Sequence, residues 1–369
     1  MAVNRHRAQA PAWFEAADFG IFIHWGLYSV PAFAPPTRRE YHIMYTQFKH
    51  QPYAEWYANS MLFPNTETAT YHHTHFGNAP YSDFAKTFRE LAHQVDVEAW
   101  ADRFAAAHAK YVVVVTKHHD GFVMYDTQVP HPYRSDYHLD FDFVGQLAKA
   151  VRARGMRFGV YYSSLLDWSF KHERIQSAAT FVLNSDHSKT YLDYVWAQWH
   201  ELIARYHPDI LWSDIGYPED ARLPQLFADF YADNPEGMVN DRWGDYPSWL
   251  RHKPLYPLVN LAGAYLNWQQ QHHHQLAAAP YYDYRTLEYQ TEWTGFPAYY
   301  EMTRGMDRSF GYNQAADPKD FISAQEVRNL VQGASAQRGR LLLNVGPMAN
   351  GKLPAPQEKV LSDLAQQRW

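Results

Sequence analysis

Short apolar runs alternate with stretches of helical spacing along most of this chain, and that order constrains the fold more than any other feature. Strand-like runs read at Gly20 to His24, Tyr111 to Thr116, Arg157 to Ser163, Ile210 to Asp214, Met238 to Trp243, Tyr284 to Tyr289 and Leu341 to Gly346. Between and after them lie helical stretches. Val97 to Ala109 carries Trp100, Phe104 and His108 on one face, and Phe141 to Arg154 stops at Gly155. Tyr191 to Tyr206 ends before Pro208, and Pro224 to Ala232, Ala324 to Gln337 and Gln357 to Gln367 complete the set. The four valines from Val112 to Val115 suit a strand buried on both faces. Strand then helix, repeated this often, predicts a parallel sheet closed into an irregular (β/α)8 TIM-like barrel. An open doubly wound sheet is the alternative, but no GxGxxG or P-loop accompanies it.

Two stretches depart from the rhythm. Pro31 to about Val95 reads as loop-rich. From about 245 to 282 no period is clear, and the text includes Gln269-Gln270-Gln271-His272-His273-His274-Gln275. The 369 residues then read as a single barrel domain, 1–369, with a long inserted loop at 245–282. A loop of that length is usually functional or mobile, and part of it is expected to close over the site.

Composition narrows the chemistry. The chain has no cysteine, which excludes disulfides and thiol nucleophiles. Its 33 basic and 39 acidic residues give a net charge of −6 without long runs of either sign, so a nucleic-acid partner is not expected. The start, Met1 to Arg7, has no apolar core of a signal peptide, and no long apolar span follows, so a cytoplasmic location and no membrane partner are expected. Aromatic residues make up 17% of the chain; most read as core, but Tyr and Trp also suit the faces of sugars.

Candidate site residues gather where strands end. His24-Trp25-Gly26 closes the first strand, either as a satisfied core histidine or as a donor at the barrel mouth. The His-x-His pair of metal-dependent barrel hydrolases is missing, since Phe22 and Gly26 flank His24 at that spacing. Lys117-His118-His119-Asp120-Gly121 can turn both rings to the mouth only if the strand is already breaking up. Neutral, these rings suit sugar hydroxyls; as ligands they suit zinc. Glu55, beside Trp56, reads either as a first-turn helix acid or as a carboxylate taking two sugar hydroxyls while Trp56 donates its N–H. Asp214 ends a buried strand, where an unpaired acid is costly. Asp241 and Arg242 read as a structural salt bridge or as a guanidinium that grips a carboxylate bidentately. The clusters His72-His73-x-His75 and His272-His273-His274 read as surface features.

In combination these segments resemble the α-L-fucosidases of glycoside hydrolase family 29. The matching text is Trp13-Phe14 with FGIFIHWGLYSVPA, PYAEWYANS, KYVVVVTKHHDGF, RFGVYYS, DILWSDIGYPE, VNDRWG, EMTRGMDRSFGYN and LLLNVGP, in family order across nearly the whole chain. The resemblance implies an exo-acting, retaining hydrolase with no metal and no organic cofactor. It implies that Asp214 is the nucleophile and, at the segment after NDRWG, that Glu288 is the acid/base. The long stretch between Gly244 and Asp283 leaves Glu292, Glu301 and Asp241 as alternatives for the second role. By the same matching His24, Glu55, Trp56, His118, His119, Tyr161 and Arg242 hold the sugar, and Trp212 and Phe310 supply apolar walls. The partner is then a fucosylated oligosaccharide or glycoconjugate, with transfucosylation when an acceptor sugar outcompetes water. The chain reaches Trp369 just after its last helix, so the C-terminal β-sandwich of many relatives is expected to be missing and a homo-oligomer to cover the exposed flank. A fucose-binding protein without catalysis and a zinc-dependent hydrolase using His118 and His119 are the competing readings.

Overall fold

In the computed structural model, residues 9–36, 48–271, 281–289 and 299–367 are described below. Eight parallel strands form the sheet, seven of them at the runs read from the sequence and one, β7, at none of those runs: β1 Phe19–Ile23, β2 Tyr111–Lys117, β3 Arg157–Ser163, β4 Ile210–Asp214, β5 Met238–Val239, β6 Tyr284–Glu288, β7 Tyr299–Gly305 and β8 Gly339–Val345. They pair in the order β5-β4-β3-β2-β1-β8-β7-β6, which wraps the sheet around to a seam between β5 and β6. The result is a nearly closed (β/α)8 barrel.

Side-chain parity sorts each strand into two faces. Phe22, Tyr111, Val113, Val115, Tyr161, Ile210, Trp212 and Leu342 fill the barrel interior. Their neighbours, such as Ile21, Val112, Val114, Val160, Leu211 and Leu343, pack outward against the helices. The principal cover includes Val97–Ala106, Phe143–Ala153, Lys189–Tyr206, Leu223–Asp233, Ala324–Ser335 and Ala355–Ala365. Capping side chains start several of these, among them Asp96, Asp142, Ser188 and Ser323.

The seam is joined without a ladder. The Asp283 backbone N–H donates to the Val239 carbonyl at 2.9 Å, and its carboxylate accepts the Val239 N–H at 2.9 Å and the Tyr231 hydroxyl at 2.7 Å. One strand end further, Asp241 accepts from the backbone N–H and the hydroxyl of Thr286 and pairs with Arg285.

Three expectations are corrected. The fifth strand stops at Val239 rather than at Trp243, because the chain turns there to present Asn240 to the Ser213 backbone. The stretch after Pro31 is not mainly loop: Glu67–Phe76, started by Thr66, and Phe84–Ala92, which buries Phe84, Ala85, Phe88 and Ala92, are helices. The 245–282 segment is not a loop throughout either, since Tyr256–Gln271 is a helix. That helix has no charged residue, and it buries Val259 against Ala179 and Val182 while Leu258, Leu261, Tyr265 and Trp268 face outward. Apolar residues on its exposed side erase the two-faced pattern by which a helix is read.

Candidate active site

The strand parity that buries Ile210 and Trp212 inside the barrel brings Asp214, the last residue of β4, to the same interior at its C-terminal mouth. The same parity along β6, from Tyr284, brings Glu288 there. Each acid is followed at once by a residue with a left-handed backbone, Ile215 (φ 64°) and Tyr289 (φ 54°), so both strands break off beyond their carboxylates. After Ile215 only glycine fits: Gly216 has φ 124°, and a Cβ there would lie 2.2 Å from the Gly244 carbonyl oxygen.

β2 ends differently. A register shift between Val115 and Lys117 turns Lys117 outward, where it pairs with buried Asp167 and lies 4.4 Å from the Tyr162 ring centre. The bulge leaves His118 and His119 both on the cavity, as the broken-strand reading required.

The cavity, about 140 Å³, is lined by His24, Glu55, Trp56, His118, His119, Tyr161, Trp212, Asp214, Arg242, Glu288 and Phe310. All eleven site residues read from the sequence therefore meet in one place. Phe22 and Trp212 belong both to its lining and to the packed barrel interior.

One guanidinium serves both acids. Arg242 donates to Asp214 at 2.8 Å, holds its other terminal nitrogen 3.7 Å from Glu288, and gives its Nε–H to Thr286 at 3.0 Å. The expected bidentate grip on a single carboxylate is thus replaced by a shared one. Tyr161 donates to the other Asp214 oxygen at 2.7 Å, and His119 Nε2 lies 3.9 Å from it. Burial pushes the Asp214 carboxyl up, but the Arg242 charge, the charge that His119 takes on only in the acid range where Asp214 titrates, and the two donated hydrogen bonds outweigh it and hold the group below the usual range. For Glu288 withdrawal from water wins: its carboxyl is raised, with the Asp214 charge adding to the effect and Arg242 and Tyr53 opposing it.

The imidazoles are neutral. Burial lowers His24 to about 3 and His119 to about 4, and pushes His118 well below its ordinary value. Glu55 behaves in the opposite sense: burial raises it to about 8 despite the Gly311 amide, which donates to it at 2.7 Å. One Glu55 oxygen is thus already engaged by the Gly311 amide, and the other is the one left to meet a ligand.

Two of the alternatives for the second acid are corrected. Glu301 sits below the cavity floor on β7, with one oxygen accepting the Trp212 indole N–H at 2.9 Å and the other the Tyr111 hydroxyl at 2.7 Å. Asp241 is engaged at the seam. Glu292 and His272 to His274 lie outside the described residues. His72 is buried rather than superficial, bonded to the Tyr57 hydroxyl and the Ala79 carbonyl, while His73 and His75 are exposed. Among the described residues no three His, Asp or Glu side chains converge as a metal site.

Sequence reasoning passed over several participants. Tyr53 donates to Glu288 at 3.0 Å, Asn344 stands behind His24, Ser163 behind His119, and Ser309 and Gly311 behind Glu55. Tyr53 was legible only as an aromatic beside Glu55, and Asn344 only as an interior-parity position of β8.

A family model described as alpha-L-fucosidase matches residues 2–368. This chain belongs to the α-L-fucosidase family. It is 31% identical to the tissue alpha-L-fucosidase of Bos taurus over 373 residues, covering 95% of this chain and 66% of the bovine one. The human tissue enzyme gives the same figures. The Thermotoga maritima alpha-fucosidase in complex with fucose superposes with a TM-score of 0.79 at 38% identity, covering 97% of this chain and 73% of that one. The same Thermotoga maritima protein in complex with a mechanism-based inhibitor gives a TM-score of 0.78. Named α-L-fucosidases are glycoside hydrolases, and the chain spans 66% of the bovine relative's length.

Proposed function

We propose that this chain is an exo-acting, retaining α-L-fucosidase working by double displacement. Asp214 attacks the anomeric carbon while Glu288 protonates the departing glycosidic oxygen. Glu288, now ionised, then takes a proton from water, which displaces Asp214 from the covalent fucosyl-enzyme. An acceptor sugar in place of that water gives transfucosylation. The observation that carries this reading is the pair of inward acids on β4 and β6, both reached by Arg242, one with its carboxyl lowered below the usual range and the other with its carboxyl raised above it. The retaining mechanism asks for a carboxyl separation of roughly 5–5.5 Å.

The size of the cavity supports exo action, since about 140 Å³ on a filled floor takes one sugar ring and not a chain. Trp212 and Phe310 give an apolar wall for the methyl group that L-fucose carries in place of a 6-hydroxyl. His24, His118, His119, Glu55, Trp56 and Arg242 face the hydroxyls. The related Thermotoga maritima protein, solved in complex with fucose and with a mechanism-based inhibitor, adds support.

Azide rescue tests the assignment. On an aryl α-L-fucoside Asp214→Ala should lose at least ~10,000-fold in kcat and return β-fucosyl azide when azide is added. Glu288→Ala should stay active on a good leaving group and give the α-azide. A Glu288→Ala enzyme with wild-type rates on a poor leaving group would remove Glu288 from the mechanism.

A further inference from the structure

Two histidines of the cavity have their protons placed by the groups behind them. Asn344 gives its amide N–H to the Phe310 carbonyl at 2.6 Å, which fixes its amide oxygen toward His24 Nδ1, 2.7 Å away. An amide oxygen only accepts, so Nδ1 of His24 carries the hydrogen. Behind His119 stands a hydroxyl. Ser163 has one hydrogen, and that hydrogen goes to the Leu166 carbonyl at 2.7 Å. His119 Nδ1, also 2.7 Å from the Ser163 oxygen, must then be the donor. Each ring is neutral and has a single N–H, and in both that N–H is spent on the wall. The nitrogen left for a ligand is a bare Nε2, which in His119 looks toward Asp214.

We propose that Asn344 and Ser163 are positioning residues that fix His24 and His119 as hydrogen-bond acceptors, so that the cavity selects sugars whose hydroxyls donate at those two points. The inference rests on the fucosidase reading for its ligand, but not for its proton positions. Ser163→Ala frees the His119 ring to take either tautomer, and Ser163→Thr keeps the hydroxyl. A sugar hydroxyl that donates to Nε2 loses its bond when replaced by fluorine, which cannot donate, as fully as when replaced by hydrogen. One that accepts keeps part of its bond to fluorine.

The test reads tautomers first, without substrate. In long-range ¹H–¹⁵N spectra of the intact protein at pH 7, labelled at histidine and assigned through His24→Gln and His119→Gln, both rings should show the Nδ1–H pattern. Ser163→Ala should move His119 alone toward Nε2–H or a mixture, and Ser163→Thr should restore it. In competition assays, 2-, 3- and 4-deoxy-L-fucose and their deoxyfluoro counterparts should bind equally poorly wherever the hydroxyl meets either ring, each about tenfold or more weaker than L-fucose. Nε2–H or a charged ring in the wild type overturns the proposal. So does a series in which every deoxyfluoro sugar binds more tightly than its deoxy counterpart. The wild-type spectra and the inhibitor series decide the matter even where Ser163→Ala fails to fold. Wild-type protein with the predicted tautomers and no activity on a fucoside would instead refute the function and leave the proton positions standing.

Discussion

Tyr53 donates its hydroxyl to Glu288 Oε1 at 3.0 Å across 235 residues of sequence. The bond favours the ionised acid and so works against the enclosure that raises its pKa. On the proposed mechanism the alkaline limb of a bell-shaped profile reports the proton on Glu288 and the acid limb the charge on Asp214. Tyr53→Phe should therefore carry the alkaline limb to higher pH and leave the acid limb in place. Profiles of kcat/KM for the two proteins check this, and an alkaline limb that stays or falls would contradict it.

Arg242 lowers both acids, so its loss has a different signature. Without the guanidinium the folded values of Asp214 and Glu288 both rise. Arg242→Gln should shift the whole profile to higher pH and cost roughly 10–100-fold in kcat/KM at its optimum, the scale of a charge-assisted hydrogen bond. A profile displaced on one limb only would show that the guanidinium serves a single carboxylate.

Glu55 ties stability to pH. Its folded value of about 8 lies above the ordinary value of 4.5, so between these limits the folded chain keeps a proton that the unfolded chain gives up. Stability from this group is full below about pH 4.5, falls as pH rises, and is gone above about pH 8. Asp307, raised by burial to about 7, and Asp120, raised by burial to about 6, tilt the balance the same way. Glu55→Gln keeps an acceptor for the Gly311 amide and removes the titration. Its apparent Tm should exceed that of the wild type by about 2–4 °C at pH 8.5 and differ little at pH 4.5. Equal displacement at both pH values would assign the effect to packing.

Asp283→Ala leaves the Val239 N–H without its acceptor in a buried place, a loss of about 1–3 kcal/mol. Heat inactivation of the variant should begin well below its calorimetric transition. If the two fall together, the seam is not a separate weak point.

The sequence announced the barrel because β1 to β4 and β8 are apolar runs with little polar interruption. β7 stayed hidden: Tyr299–Gly305 carries Glu301 and Arg304, and Glu301 is tolerable inside the barrel only because Trp212 and Tyr111, distant in sequence, donate to it. Asp214 was legible as an acid ending a buried strand, where chance rarely leaves one. Ser163 and Asn344 were not, since small polar residues at strand ends become meaningful only when a histidine from another strand lies 2.7 Å away. Family likeness, and not spacing, singled out Glu288.

The gap between β5 and β6 divides the site's labour. Asp214 stands on a strand laddered on both sides, whereas Glu288 rides on an arm that pairs with β7 alone and is pinned to β5 by aspartates. The extra helix Tyr256–Gln271 enters the chain at that gap. Additional chain can grow there without severing a ladder, next to Glu288, the acid proposed to meet the departing group. On that proposal, descendants of this scaffold can remodel what they release while the strand that carries Asp214 stays as it was.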